Sequence, residues 1–374
     1  MRMYGILAVV AAGLASAAWA QEKKDAAPVK TQPAGDAPKE APKQEVQPEY
    51  RPEAVDWLRK EAGTVMPLIA NMDVRKIAFS TTWLPVIDER VIYVDKRWTK
   101  AFTPEQFEKL SEEEKKTLHP EKFDGYRFYF TRYGSPLAYL RPLDLVADAI
   151  GGPMPLRGKK ILDYGYGTIG HLRLMASQNM DVTGVEVDPS LKALYSREED
   201  TGKVPGVGMD DIPPPGSLTL VHGKWPGDKD VAEKVGGGYD IITSKNTLKN
   251  GYINPEQKVP KEMLVDLSVP PEEFVAKVHA ALKPGGVFMI YNISPKQTPP
   301  GEGYKPWSDG RCPFPREMLE KAGFEVLEYN KDDSATIRRF GAALEWDKKM
   351  DLENDCFAVY TLVRRKAEEP PTPK

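Results

Sequence analysis

The stretch Lys159-Lys160-Ile161-Leu162-Asp163-Tyr164-Gly165-Tyr166-Gly167-Thr168-Ile169-Gly170, continued by Val182-Thr183-Gly184-Val185-Glu186-Val187-Asp188-Pro189, decides the fold. Ile161 and Leu162 open a short apolar strand of the kind buried on both faces in a parallel sheet. Gly165 and Gly167 permit a tight turn that brings backbone close to a ligand, and Gly170 lets the next helix pack against the strand. Leu172, Met175 and Ala176 recur at helical spacing and give that helix a core-facing stripe. Val182 to Val187 then alternates into a second strand. Glu186 falls about 20 residues after the glycine turn, where a carboxylate takes a ribose hydroxyl pair.

Two cofactor classes suit such a unit. Gly165-x-Gly167-x-x-Gly170 matches the dinucleotide pattern, which makes a nicotinamide oxidoreductase one reading. Asp163 argues against it, because a pyrophosphate resting on a helix N-terminus disfavours a carboxylate at that point. A ligand with a cationic amino-acid end favours one. Here the chain resembles the class I S-adenosylmethionine-dependent methyltransferases, whose Asp-x-Gly-x-Gly turn follows the first strand. Leu282-Lys283-Pro284-Gly285-Gly286, ahead of the apolar run Val287 to Ile290, resembles the turn before that family's fifth strand.

The resemblance implies a Rossmann-like, doubly wound, seven-stranded α/β sheet with S-adenosylmethionine as cofactor. Asp163 would meet the methionine end, Glu186 the ribose, and Gly165, Gly167 and Thr168 would form the turn beneath them. Ile169 stands where the family often has a third glycine. After a third strand at Ser217 to Val221, no acid follows for the adenine amino group. Trp225 either lies against the adenine ring or caps the core. Gly238 to Leu248 resembles the fourth strand and its exit loop, which brings Ser244, Lys245 and Asn246 beneath the reactive methyl group. Lys245, Asn246, Tyr252 and His222 are the candidate catalytic residues, and the family's Asn-Pro-Pro-Tyr signature is absent.

The chain has 374 residues and a net charge of −3, with no basic excess of the kind that binds nucleic acid. Two cysteines and four histidines, without a CxxC pair, supply no zinc pattern, so no metal is expected. Arg2, the apolar run from Tyr4 to Ala17 and the Ala18-Trp19-Ala20 ending read as a signal peptide over 1–20. Residues 21–52 are rich in Pro, Ala, Lys and Glu and read as a disordered linker; 367–374 read as a similar tail. An exported, periplasmic or extracellular protein follows, without a membrane span after cleavage. The alternative is an inner-membrane anchor formed by the uncleaved segment.

Residues 53–150 read as an α+β N-terminal lobe or lid, and 151–366 as the methyltransferase-like domain. In the lobe, Ile77 to Trp83 and Arg90 to Val94 are expected strands. Thr103-Pro104-Glu105-Gln106 opens a helix, and the Glu-Lys run at 111–116 is a solvated helix face. Tyr126 to Tyr133 interleaves aromatics with arginine, as a packing strand or turn or as a stacking surface for a flat or anionic ligand. Pro136 to Ile150 reads as a helix that, by the resemblance, covers the cofactor pocket. Residues 202–216 read as a surface insertion, and the long polar loop from Tyr291 to Pro315 as a substrate wall. In the implied topology Cys312 and Cys356 both lie at the top of the sheet, where an exported protein can join them. The readings of function are therefore a methyltransferase of unknown acceptor, small molecule or envelope component, and an exported ligand-binding module without turnover. The nicotinamide oxidoreductase is disfavoured by Asp163 and the Leu-Lys-Pro-Gly-Gly element.

Overall fold

The computed structural model describes residues 53–208, 211–299 and 303–367. The expected leader, the linker and the tail from residue 368 onward lie outside the described residues. Among the described residues no helix is long and apolar enough to cross a membrane. No group of three or more His, Cys, Asp or Glu among them is placed to hold a metal ion.

The N-terminal part is α+β. Helices Glu53–Val65 and Met72–Phe79 precede a three-stranded antiparallel sheet of β1 (Arg90–Asp95), β2 (Ala101–Phe102) and β3 (Leu118–Phe123), in the order β2-β1-β3. Thr103 forms the expected capping box with Gln106 at the start of Pro104–Glu108. Two expectations are corrected in this part. Ile77 to Trp83 is not a strand but the end of the Met72–Phe79 helix and a 3-10 turn, Ser80–Trp83. The Asn71 side chain caps that helix, and Val74, Ile77 and Ala78 bury one face of it, so tertiary packing overrides the β-branched composition. Tyr126 to Tyr133 is likewise no strand. Asp124 caps a helix at Gly125–Phe130 by accepting from the Arg127 amide.

The main sheet comprises β4 (Lys160–Tyr164), β5 (Asp181–Glu186), β6 (Gly202–Val204), β7 (Gly216–His222), β8 (Tyr239–Lys245), β9 (Leu282–Ser294), β10 (Phe324–Asp332) and β11 (Phe357–Arg365). Its order is β10-β11-β9-β8-β4-β5-β7-β6. Strands β7, β5, β4, β8 and β9 run parallel, while β11 inserts antiparallel between β9 and β10. This is the Rossmann-like, doubly wound arrangement read from the sequence, with one strand more than the seven expected. The extra strand is β6, an antiparallel edge made from the segment taken for a plain insertion. Its ladder is held by main-chain pairing and carries no apolar alternation, so no sequence pattern marks it.

Helices cover both faces, and the core divides in two. One cluster joins the N-terminal helices, the Ile169–Ala176 and Ser334–Ala343 helices and one face of the sheet, through residues such as Leu58, Ile77, Leu143, Ile161, Leu172, Met289 and Phe340. The other lies between the opposite face and the Lys229–Val235, Pro271–Ala281 and Arg316–Lys321 helices, around Leu162, Val275, Phe288 and Leu319. Cys312 belongs to the second cluster and Cys356 to the first. The expected disulfide is absent: both thiols are free and buried, kept apart by the sheet itself. The Gly285-Gly286 pair, expected in the turn before the fifth strand, lies within β9 itself. Pro271–Ala281 has already ended, and the pair makes a bulge in β9, where Tyr239 faces Leu282 but Ile241 faces Val287.

Candidate functional site

The chain's strand order reverses between β4 and β8, and open α/β sheets bind ligands beyond the carboxyl ends of their strands at that point. A cavity of about 350 Å³ lies there. Parallel register sets what meets in it. Asp163 pairs with Thr243 of β8, and Tyr164 with Val185 of β5. One or two residues further on, Gly165 lies level with Lys245 on one side and Glu186 on the other. All three line the cavity.

The turn needs its glycines. Gly165 has φ +75°, and a Cβ there would fall 2.2 Å from Thr247 Oγ1; Gly167 has φ +61° and would press on the Tyr133 ring. Thr168 does not line the cavity. It is fully buried, caps the Ile169–Ala176 helix through Gly170 N and donates its hydroxyl to the Tyr129 carbonyl.

Glu186 holds the position expected of it, at the tip of β5 facing the cavity. One carboxylate oxygen accepts from the Val187 amide at 2.7 Å and the other from the Gly167 amide at 3.3 Å, tying the acid to the turn. Burial, and next the Asp188 carboxylate, push its pKa up to about 7. Asp188 itself caps the Pro189–Leu194 helix and receives Arg132 and the Tyr133 hydroxyl.

Asp163 departs from its expected role. It is fully buried and does not line the cavity. His171 Nε2 contacts one of its carboxylate oxygens and the Thr243 hydroxyl the other, each at 2.7 Å. His171 stacks on Tyr139 with centroids 3.5 Å apart, and burial lowers its pKa toward the neutral imidazole. The sequence alone did not pair His171 with Asp163. Asp163 ends β4 and His171 sits in the first turn of the Ile169–Ala176 helix, with the glycine turn between them.

Of the remaining candidates, Trp225, Lys245, Asn246 and Tyr252 line the cavity. Ser244 does not: it faces a separate chamber of about 10 Å³ behind Lys245, shared with Tyr139 and His171. His222 lies outside the cavity wall, although Gly223 contributes to it. Asn246 is occupied, its side-chain oxygen accepting from the Ile293 amide at 2.7 Å. Tyr252 is buried and its hydroxyl has no partner among the described residues. Lys245 is 8% exposed, its Nζ lies 4.7 Å from the centre of the Tyr139 ring, and burial lowers its pKa to about 8 against the raising effect of Asp163.

Further wall residues were not named as site candidates from the sequence, although Tyr133 closes the aromatic and arginine stretch offered as a stacking surface. Tyr133 and Tyr139 enter from the N-terminal part, as the only lining residues it supplies among those described. Arginine and aromatic residues before them pack, as Phe128 and Tyr129 show by their full burial. Lys224 and Asp266 meet in an exposed ion pair at 2.6 Å, joining the loops after β7 and β8 at the cavity's edge.

No family model matches the chain, and no curated protein matches it. Solved structures do. An S-adenosylmethionine dependent methyltransferase from Mesorhizobium loti is 16% identical, with 61% of this chain and 98% of that one covered and a TM-score of 0.35. A protein described as a sarcosine dimethylglycine methyltransferase from Galdieria sulphuraria is 14% identical, with 64% and 88% covered and a TM-score of 0.35. The 4+2 cyclase SpnF is 18% identical, with 61% and 81% covered and the same TM-score of 0.35. The activities named for these proteins stay with them, since one fold hosts unrelated chemistries.

Proposed function

We propose that the protein is an S-adenosylmethionine-dependent methyltransferase whose acceptor enters beside Lys245 and Tyr252. The observation that carries this reading is Glu186, an acid at the tip of β5 level with a two-glycine turn, inside a cavity large enough for a nucleoside derivative. The nucleoside half fits the residues present: Glu186 would accept from the ribose hydroxyls, Gly165 and Gly167 allow close approach, and Trp225 with Leu264 offers flat and apolar surface for a base. The cofactor supplies a methyl group on a sulfonium, ready for in-line displacement. The chain's own contribution is to hold donor and acceptor in line and to exclude water. Residues 1–20 support export of the protein to the periplasm or beyond, where its acceptor would then lie.

Calorimetry of the full chain with S-adenosylhomocysteine and with NADH tests this reading. Binding of the first, weakened tenfold or more by Glu186→Ala, is the expected result. Tight NADH binding instead points to the nicotinamide reading. A ligand-binding module without turnover remains the reading if S-adenosylhomocysteine binds while S-adenosylmethionine is never consumed with any acceptor offered.

A further inference from the structure

Two lysines line the cavity: Lys224 is paired with Asp266, whereas Lys245 has no ion pair with the described residues. Lys245 Nζ makes no hydrogen bond with the described residues, and its contact is the face of Tyr139. The nearest carboxylate on the neighbouring strand, Asp163, is already taken by His171 and Thr243. Lys249, four residues on, adds a second buried ammonium, but it is spent on the Ile293 and Trp307 carbonyls. A buried ammonium is stabilised only by partners, and here the protein leaves that place to a ligand. Tyr252 stands in the same wall, and its hydroxyl has no hydrogen-bond partner among the described residues.

We propose that Lys245, with the Tyr252 hydroxyl, binds the carboxylate of the ligand's amino-acid end, so that this end is held through its anion and not through its ammonium at Asp163. The inference rests on the functional reading above. Register gives it scale: Lys245 and Glu186 are separated by the width of β4, two strand spacings or about 10 Å. A ribose with a short amino-acid chain spans that gap, its hydroxyls on Glu186 and its carboxylate on Lys245. The groups facing Nζ are Asp163 from β4, Tyr139 from the turn before the Leu140–Ile150 helix, His171 across the small chamber and Lys249 from the following loop. The one anion among them, Asp163, makes no hydrogen bond with Nζ, and its oxygens are turned to His171 and Thr243.

The test compares S-adenosylhomocysteine with its decarboxylated analogue, which keeps the amine and the adenosine, by calorimetry of the full chain at neutral pH. The wild type is expected to prefer the carboxylate-bearing ligand by at least 30-fold, a preference of about 2 kcal/mol. Lys245→Met should erase that preference while leaving the analogue's affinity within about threefold, and Lys245→Arg should retain part of it. A preference that survives Lys245→Met, or a wild type that favours the amine alone, overturns the inference while the methyltransferase reading stands. If neither ligand binds the wild type, both fall. Circular dichroism of each variant separates lost binding from lost folding.

Discussion

Glu186 and Lys245 stand at one level of the sheet, each one strand away from Gly165, so a carboxylate and an ammonium bracket the glycine turn. Neither is paired with the other. Lys245 is buried and Glu186 half-buried, and desolvation moves their pKa values toward each other, to about 7 and about 8.

That convergence sets a pH window for binding. A ribose donates to the ionised form of Glu186, so affinity for 5′-methylthioadenosine, which lacks the amino-acid end, should rise as pH climbs through about 7 and then level off. Affinity for S-adenosylhomocysteine should rise likewise but fall again as Lys245 loses its proton above about 8. Titration calorimetry of both ligands across this range checks it, and a common pH profile for the two would contradict the assignment.

Gly165→Ala should lose ligand binding by tenfold or more. The left-handed backbone costs an alanine on the order of 1–2 kcal/mol, and its Cβ would collide with Thr247 Oγ1 at 2.2 Å. The thermal midpoint should drop by several degrees, and adding Thr247→Ala should recover part of that drop by removing the collision but not the backbone cost.

Asp163→Ala should act on stability first. It removes the acceptor for His171 Nε2 and for the Thr243 hydroxyl in a fully buried site, at a cost of about 2–4 kcal/mol. Affinity for 5′-methylthioadenosine should stay within about threefold of wild type where the variant remains folded. Denaturant unfolding and calorimetry together read the two effects.

A second pH effect lies far from the cavity. Glu61 is buried against Trp57 and Ser135, and burial raises its pKa from 4.5 to about 7. The folded state therefore binds this proton more tightly than the unfolded state. Its contribution is fully present below 4.5 and is lost as pH rises through about 7. Glu61→Gln should flatten that decline, worth on the order of 2 kcal/mol, in urea melts taken on either side of neutrality.

The glycine turn and the strands around it were legible because they follow from backbone requirements that few residues meet: positive φ at Gly165 and Gly167, and apolar runs for strands buried on both faces; the doubly wound sheet came through the family resemblance. What Asp163 faces was not legible. A carboxylate at a strand end looks the same in sequence whether it meets a ligand or a histidine on the next helix. The choice was made by the side-chain packing of His171 on Tyr139, which no local pattern reports. The Met72–Phe79 helix was missed for a related reason, since its β-branched residues favour a strand until the packing against Glu53–Val65 and Leu140–Ile150 is known.

The continuous first core gives the N-terminal part a role beyond an attachment. Helices from residues 53–150 help cover a face of the sheet that would otherwise present Ile161, Ile241 and Met289 to water. A chain trimmed to the sheet alone would expose one half of its own interior, and it would lose Tyr133 and Tyr139 from the cavity wall in the same cut. Shortening experiments that keep only the sheet and its remaining helices should therefore yield aggregates.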